Sequence, residues 1–176
     1  MTLVDLFDVL RAGGVALVVI GIGLYLAMTA GRLDRLHIRH DAALASLELQ
    51  FALRAEAVAE TIAEGYVDPV SAQLLGRALT GRRATGSINV VGESELSALL
   101  REVVEANEGV VAPEELQAEL RSACNRVEFA YGFFNEAVDA TNLMRQRPIV
   151  KYLGLAGHTA YPRNIRCDVR MPEFAD

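Results

Sequence analysis

The hydrophobic residues near the start of the chain form one uninterrupted block. AGGVALVVIGIGLYLAMTAG, over residues 12–31, contains no charged residue and lies between Arg11 and Arg32. About 20 residues at the helical rise span about 30 Å, the thickness of a bilayer's hydrocarbon core. A cleaved signal peptide is the alternative, but its apolar region is shorter and its positive charge precedes that region. We therefore predict a retained transmembrane helix over 12–31.

Beyond this block the hydrophobic pattern becomes that of an amphipathic helix. Apolar residues recur at steps of mainly three, four or seven, and neither proline nor glycine occurs before Gly65. The transmembrane helix is thus predicted to continue over 32–64. Asp68 followed by Pro69 is a typical helix start, and the short second helix is predicted to end at Gly81.

Two more helices follow. Ser94 is predicted to cap a third helix that stops near Gly109, and Pro113 opens a fourth that runs to Arg147. The part of the first helix beyond the span, 32–64, and the fourth helix are both about 50 Å long, so they can run antiparallel. We therefore predict an all-α fold in which the transmembrane helix continues into a long antiparallel helical bundle. The buried stripe of the fourth helix is predicted to contain Leu116, Leu120, Cys124, Val127, Tyr131, Phe134 and Val138.

The pattern divides the chain into a short N-terminal segment (1–11), the transmembrane helix (12–31), the bundle (32–147) and a membrane-proximal segment with a C-terminal tail (148–176). The membrane-proximal segment begins PIVKYLGLAGHTAYP, in which lysine and tyrosine interrupt an apolar run. This composition suits a membrane interface, but the segment can equally cover the open end of the bundle. The candidate contact residues are Ile149, Val150, Lys151, Tyr152, Leu153, Leu155 and Tyr161.

Charge sets the expected orientation in the cell membrane. Arg32, Arg35 and Arg39 closely follow the block, whereas two aspartates and Arg11 precede it. Since the basic side of a span tends to stay in the cytoplasm, we expect a single-pass protein with its N-terminus outside and its bundle cytoplasmic. The net charge of −6 argues against nucleic acid as a partner.

Small residues recur every four positions within the predicted span, at Gly23, Ala27 and Gly31. Small side chains at this spacing let two transmembrane helices approach closely, although glycine and alanine are common in spans. These residues are our candidates for packing between transmembrane helices.

No arrangement of nucleophile and base stands out. His37 and His40, together with Asp34 and Asp41, have spacings at which a divalent metal can bind, but polar residues are also needed where a span meets water. We favour the second interpretation and predict no metal, no cofactor and no catalytic residue. Cys124 lies on the predicted core stripe, which is typical of a small buried hydrophobic residue.

The fourth helix carries the motif NRVEFAYGFFNEAVDATN, which resembles the signature of the LemA family. The matching positions are Asn125, Arg126, Val127, Ala130, Phe133, Phe134, Asn135, Val138 and Asn142. HDAALASLELQFALR resembles the family's first helix, including Gln50 and Arg54, but the following stretch lacks the family's proline. The resemblance implies an N-terminal membrane helix and a long helical bundle.

Three asparagines in this motif are unusual because asparagine is a poor helix former. Asn125, Asn135 and Asn142 flank the apolar stripe near one side of the helix. Each can form a hydrogen bond to another helix, or each can be solvated. We favour the interhelical polar contact.

These observations predict an adaptor or accessory subunit, anchored in the membrane, that acts through protein contacts at the cytoplasmic face and is not an enzyme. The expected partners are membrane lipid and either a membrane protein complex or further copies of the chain. The alternative is a self-assembling protein that organises or remodels membranes, a role suggested by a LemA-family member that takes part in forming magnetosome membranes. An enzyme is the third possibility.

Overall fold

The structure, a computed structural model, describes residues 3–82, 88–106, 113–154, 161–170 and 172, with the side chains of 3–9 excluded. Within these ranges the regular secondary structure consists of helices without a strand, which confirms the predicted all-α class. The helices are α1 (Leu3–Ala63), α2 (Pro69–Gly81), α3 (Val90–Ala106), α4 (Glu114–Arg145) and α5 (Pro148–Tyr152). The predicted end of the third helix, near Gly109, lies outside the described residues.

The chain divides into two compact units. Unit 1 contains Met1–Arg39 and Ala140–Pro162, and unit 2 contains His40–Asp139 and Arg163–Asp176. The long helices α1 and α4 each contribute to both units.

The start of α2 is determined by its local sequence. The Asp68 carboxylate accepts hydrogen bonds from the backbone N–H groups of Val70 (3.0 Å) and Ser71 (3.1 Å). Pro69 occupies the first turn, where its missing N–H would have no helical partner. The predicted start at Asp68–Pro69 and the predicted end at Gly81 are confirmed.

The start of α3 differs from the prediction. The helix begins at Val90, and Asn89 Oδ1 accepts the hydrogen bond of the Gly92 N–H at 3.1 Å. Asn89 therefore acts as the cap, because its short amide side chain is as good an acceptor as serine. Ser94 lies inside the helix and donates to the Val90 carbonyl at 2.8 Å. A side chain at Gly92 would place its Cβ 3.0 Å from the Arg82 Cα atom, so a larger residue here would require Arg82 to shift by a few tenths of an ångström.

Unit 2 contains two hydrophobic clusters. The first consists of residues from α1 to α4, namely Ala57, Val58, Leu75, Ala78, Leu96, Leu100, Val103, Val104, Leu120, Ala123 and Cys124. The second consists of Leu47, Phe51, Val127, Ala130, Phe134, Val138, Cys167 and Val169. The predicted stripe of α4 is thus buried, except that Leu116 and Tyr131 are half-buried.

An extended segment, the C-terminal strap (residues 163–170), completes the second cluster. The Tyr131 hydroxyl donates to the Ile165 carbonyl at 2.8 Å, and Arg101 forms an ion pair with Asp168 at 2.8 Å. Cys167 and Val169 are buried in the cluster. The strap is therefore part of the packed unit, although its sequence shows no helical periodicity.

Unit 1 contains the long apolar stretch of α1 and a small cluster. Leu33, Met144 and Val150 are buried together, with Leu36 packed against them. By contrast, only 6% of the most apolar window of α1 is buried. Within the described residues, α1 is the one helix long and apolar enough to cross a membrane, and a membrane span or a signal sequence both fit this finding.

Candidate functional site

Helix α5 presents one outward-facing hydrophobic patch. Ile149, Tyr152 and Leu153 are 41%, 87% and 55% exposed. At 100° per residue, these three side chains fall within about 100° of the circumference of a helix, that is, on one side of it. We call them the α5 patch. Lys151, also among the predicted contact residues, is exposed as well, and Leu155 lies outside the described residues.

Val150 was predicted as a contact residue, but the structure buries it. Only 1% of Val150 is exposed, because its side chain packs with Leu33 and Met144. The helical turn directs Val150 away from the α5 patch. Val150 therefore attaches α5 to the rest of unit 1 and is not part of the outward-facing surface.

Tyr161 is half-exposed, and its ring is covered by a cation from its own chain. The guanidinium carbon of Arg145 lies 4.3 Å from the centroid of the Tyr161 ring. This distance is typical of a cation–π interaction. The neighbouring Pro162 carbonyl accepts a hydrogen bond from Asn142 Nδ2 at 3.0 Å, so both contacts hold this segment against α4.

The three asparagines of α4 have different surroundings. Asn142 binds the segment after α5, as just described, and its Oδ1 atom is buried without a partner within the described residues. Asn135 Oδ1 is likewise buried without a hydrogen bond in this part of the chain, and Asn125 is half-buried. No side-chain hydrogen bond from any of them to another helix is found among the described residues.

The small residues of the predicted span have open space around them. Gly23 and Ala27 are exposed and Gly31 is half-buried. Apart from its chain neighbours and the backbone of its own helix, a Cβ atom added at Gly23 or Gly31 would meet no atom of the described residues within 4 Å. Among the described residues, nothing packs on α1 at these two glycines.

An exposed pair of aromatic residues on α4 was not predicted as a contact site. Phe129 and Phe133 lie one helical turn apart and are 68% and 61% exposed. The signal was present in the sequence, since both residues lie off the core stripe through Val127 and Phe134. Large exposed aromatic side chains are enriched where proteins bind each other.

A buried network of charges was also missed. Glu93 accepts a hydrogen bond from Arg54 at 2.9 Å and one from Arg82 at 2.7 Å. The Arg54 side chain is 2% exposed and also donates to Ser97 Oγ at 2.8 Å. The network joins α1, α3 and the end of α2, while within the described residues the Nε atoms of Arg54 and Arg82 are buried without a hydrogen bond.

Burial and charge shift the pKa values of two thiols and a carboxyl group in unit 2, among other groups. Burial raises the pKa of the Cys124 thiol to about 11, and burial also raises the pKa of Cys167. Hydrogen bonds from Arg170 and then Arg101 hold the pKa of Asp168 well below its ordinary value. Thiols with raised pKa values are poor nucleophiles, and Asp168 serves to hold the strap.

Among the described residues, His37 and His40 do not belong to a cluster of metal ligands. His40 Nδ1 lies 3.0 Å from an Asp41 carboxylate oxygen, and the His40 ring is 5.5 Å from that of Phe134. Within the part of the chain that the structure describes, no group of three or more His, Cys, Asp or Glu side chains is placed to hold a metal ion.

No model of a known protein family matches the chain, and neither a curated protein nor a solved structure does. The resemblance to the LemA family therefore rests on the residues of the α4 motif and on the order of the helices. The surfaces that the structure offers for function are the α5 patch, the aromatic pair on α4 and the open face of α1.

Proposed function

We propose that the protein is a membrane-anchored, LemA-like adaptor or accessory subunit that acts through protein contacts at the cytoplasmic membrane face. The observation that carries this proposal is the continuity of α1. Its exposed apolar stretch and its packed part belong to one helix, Leu3–Ala63, without a linker. If the apolar stretch of α1 is not cleaved off, it anchors in the membrane the residues that pack against the C-terminal part of the same helix. No catalytic step is part of the proposal.

The orientation follows from the charges beside the apolar stretch. Arg32, Arg35 and Arg39 follow it closely, and arginines in short flanking segments stay on the cytoplasmic side. The helices of unit 2 are then cytoplasmic, in the antiparallel arrangement of a LemA-like bundle.

The α5 patch is the contact surface that this arrangement places nearest the bilayer. Val150 of α5 shares a cluster with Leu33, which comes two residues after the predicted end of the span. Ile149, Tyr152 and Leu153 therefore lie close to the headgroup layer. Tyrosine and lysine side chains suit this position, since each has an apolar body and a polar tip. A membrane-embedded protein can reach this surface.

Self-assembly is the second candidate function, and one observation favours it. On the face of α1 that carries Gly23, Ala27 and Gly31, no atom of the described residues packs against the two glycines. Two copies of the span can approach closely along such a face. Repeated contacts of this kind would organise a membrane region.

Extraction of the full chain in mild detergent, followed by mass spectrometry of the proteins that stay bound, tests the proposal. An adaptor retains a different membrane protein, and Tyr152→Ser/Leu153→Ser in the α5 patch releases it. The matched control is Val70→Ser/Leu74→Ser, which changes two exposed apolar residues of α2. If the wild-type chain retains only further copies of itself, self-assembly is correct. If it retains no protein, both proposals are wrong.

A further inference from the structure

Unit 1 contains a cleft whose lining combines positive charge with an apolar floor. Its volume is about 470 Å³, and it lies between α1 and the end of α4. Arg32, Arg35, Arg39 and Arg147 line it, together with apolar residues that include Met144. Among the described residues that line the cleft, none carries a negative charge.

The spacing of these residues explains why the cleft forms. Arg32, Arg35 and Arg39 are three and four residues apart, so they lie on one face of α1. Arg147 stands at the start of α5, directly after the end of α4. The buried cluster of Leu33, Met144 and Val150 fixes α5 and the end of α4 against α1. This packing places the four arginines along one cleft.

The position of the cleft along α1 points to the ligand. Arg32 comes directly after the predicted span, and Arg39 is about 10 Å further along the helix. The headgroup layer on each side of a bilayer is roughly 5–8 Å thick, which is comparable to the distance between Arg32 and Arg39 along the helix. In this layer the most abundant anions are lipid phosphates. Guanidinium groups bind phosphate oxygens with paired hydrogen bonds, and the apolar floor suits the glycerol and upper acyl groups.

We infer that this cleft binds the headgroup of one anionic phospholipid. The inference rests on the proposed function, because it needs α1 to cross the bilayer. Basic pockets beside transmembrane helices on the cytoplasmic side are recognised binding places for anionic lipids. The bound lipid would connect α1 to the start of α5 and so support the α5 patch from behind.

The test is native mass spectrometry of the full chain released from nanodiscs of phosphatidylcholine with or without phosphatidylglycerol. The wild-type chain should retain one phosphatidylglycerol molecule. Arg35→Gln/Arg147→Gln should weaken this retention about 30-fold, since each arginine near a membrane surface contributes roughly a factor of five. Arg32 and Arg39 stay in place, which preserves the charge that orients the span.

Two controls separate the cleft from general charge. Arg77→Gln/Arg126→Gln removes two exposed arginines outside the cleft and should leave lipid retention unchanged. Arg35→Lys/Arg147→Lys keeps the charge but loses the planar pair of donors, and should retain an intermediate amount of lipid. Equal retention by the wild-type chain and Arg35→Gln/Arg147→Gln would overturn the inference.

The source of the phosphate and the membrane anchor are tested separately. Inorganic phosphate at millimolar concentration should leave the bound lipid in place; complete displacement would show a site for a soluble anion and overturn the lipid assignment. Extraction of the wild-type chain with alkaline carbonate reports on the anchor. A chain that leaves the membrane contradicts the proposed function, whereas an anchored chain without preference for phosphatidylglycerol contradicts only this inference.

Discussion

Replacing Glu93 by leucine would leave two guanidinium groups in unit 2 without their shared counter-charge. Arg54 is 2% exposed and cannot reach water without a rearrangement of α1 or α3. Arg82 is 13% exposed and still donates to the Phe51 carbonyl at 3.0 Å. The penalty therefore falls mainly on Arg54.

The expected loss is large. Breaking a buried ion pair by removing one partner typically costs about 3–5 kcal/mol, because the remaining charge stays buried. For a chain of this size, 1 kcal/mol corresponds to roughly 2–4 °C in melting temperature. Glu93→Leu should thus lower the melting temperature by roughly 6–20 °C.

A second substitution distinguishes an unpaired charge from a simple packing defect. Arg54→Met in the Glu93→Leu background removes the buried charge, so the double variant should be more stable than Glu93→Leu alone. Glu95→Leu, which changes an exposed glutamate of the same helix, should melt within about 2 °C of the wild-type chain.

The chain contains no tryptophan, so circular dichroism of the full chain in mild detergent is the suitable assay. A melting temperature of Glu93→Leu equal to that of Glu95→Leu would refute the buried network. A double variant that is less stable than Glu93→Leu would refute the role of the unpaired charge.

Three further predictions concern the core, the thiols and the strap. Phe134→Ala should cost about 3–5 kcal/mol in unfolding free energy, whereas Phe133→Ala should cost little, because only Phe134 is buried; equal thermal shifts would contradict this. The thiols of Cys124 and Cys167 should resist iodoacetamide at pH 8 until the chain unfolds, since burial raises both pKa values; rapid alkylation of the folded chain would be inconsistent with the structure. The folded state depresses the pKa of Asp168, so its contribution to stability is complete above about pH 5 and is lost as the pH falls through and below the unfolded value of about 3.9. Asp168→Asn should therefore melt below the wild-type chain at pH 7, and this difference should shrink in acid; a difference that is constant with pH would show that the charge is unimportant.

Elements with local signals were predictable from the sequence. Asp68 and Pro69 determine the start of α2 through contacts within one turn, and the apolar spacing of α4 is set by its own helical period. The predicted start of α3 was wrong by about one turn. Asn89 precedes the apolar residues Val90 and Val91, which have the composition of a docked loop as much as of a helix start.

Elements that depend on distant residues were not predictable. Arg54 and Glu93 are separated by 39 positions, and no periodicity in the sequence marks their pairing. The same applies to the strap, where Asp168 meets Arg101 across 67 positions. The prediction that Val150 is an exposed contact residue was wrong for a related reason. The direction of a side chain in a one-turn helix depends on where that turn docks.

The most direct test of the membrane-anchored account is in-gel fluorescence of membranes from cells that express the full chain fused at its C-terminus to a protein fluorescent only in the cytoplasm. A retained span with cytoplasmic helices predicts one fluorescent band in the membrane fraction, at the length of the complete fusion. A fluorescent band that is soluble and shorter, having lost the apolar stretch, would show that residues 12–31 act as a cleaved signal sequence. A full-length membrane band without fluorescence would show that the helices of unit 2 lie on the opposite side, and would contradict an adaptor at the cytoplasmic face.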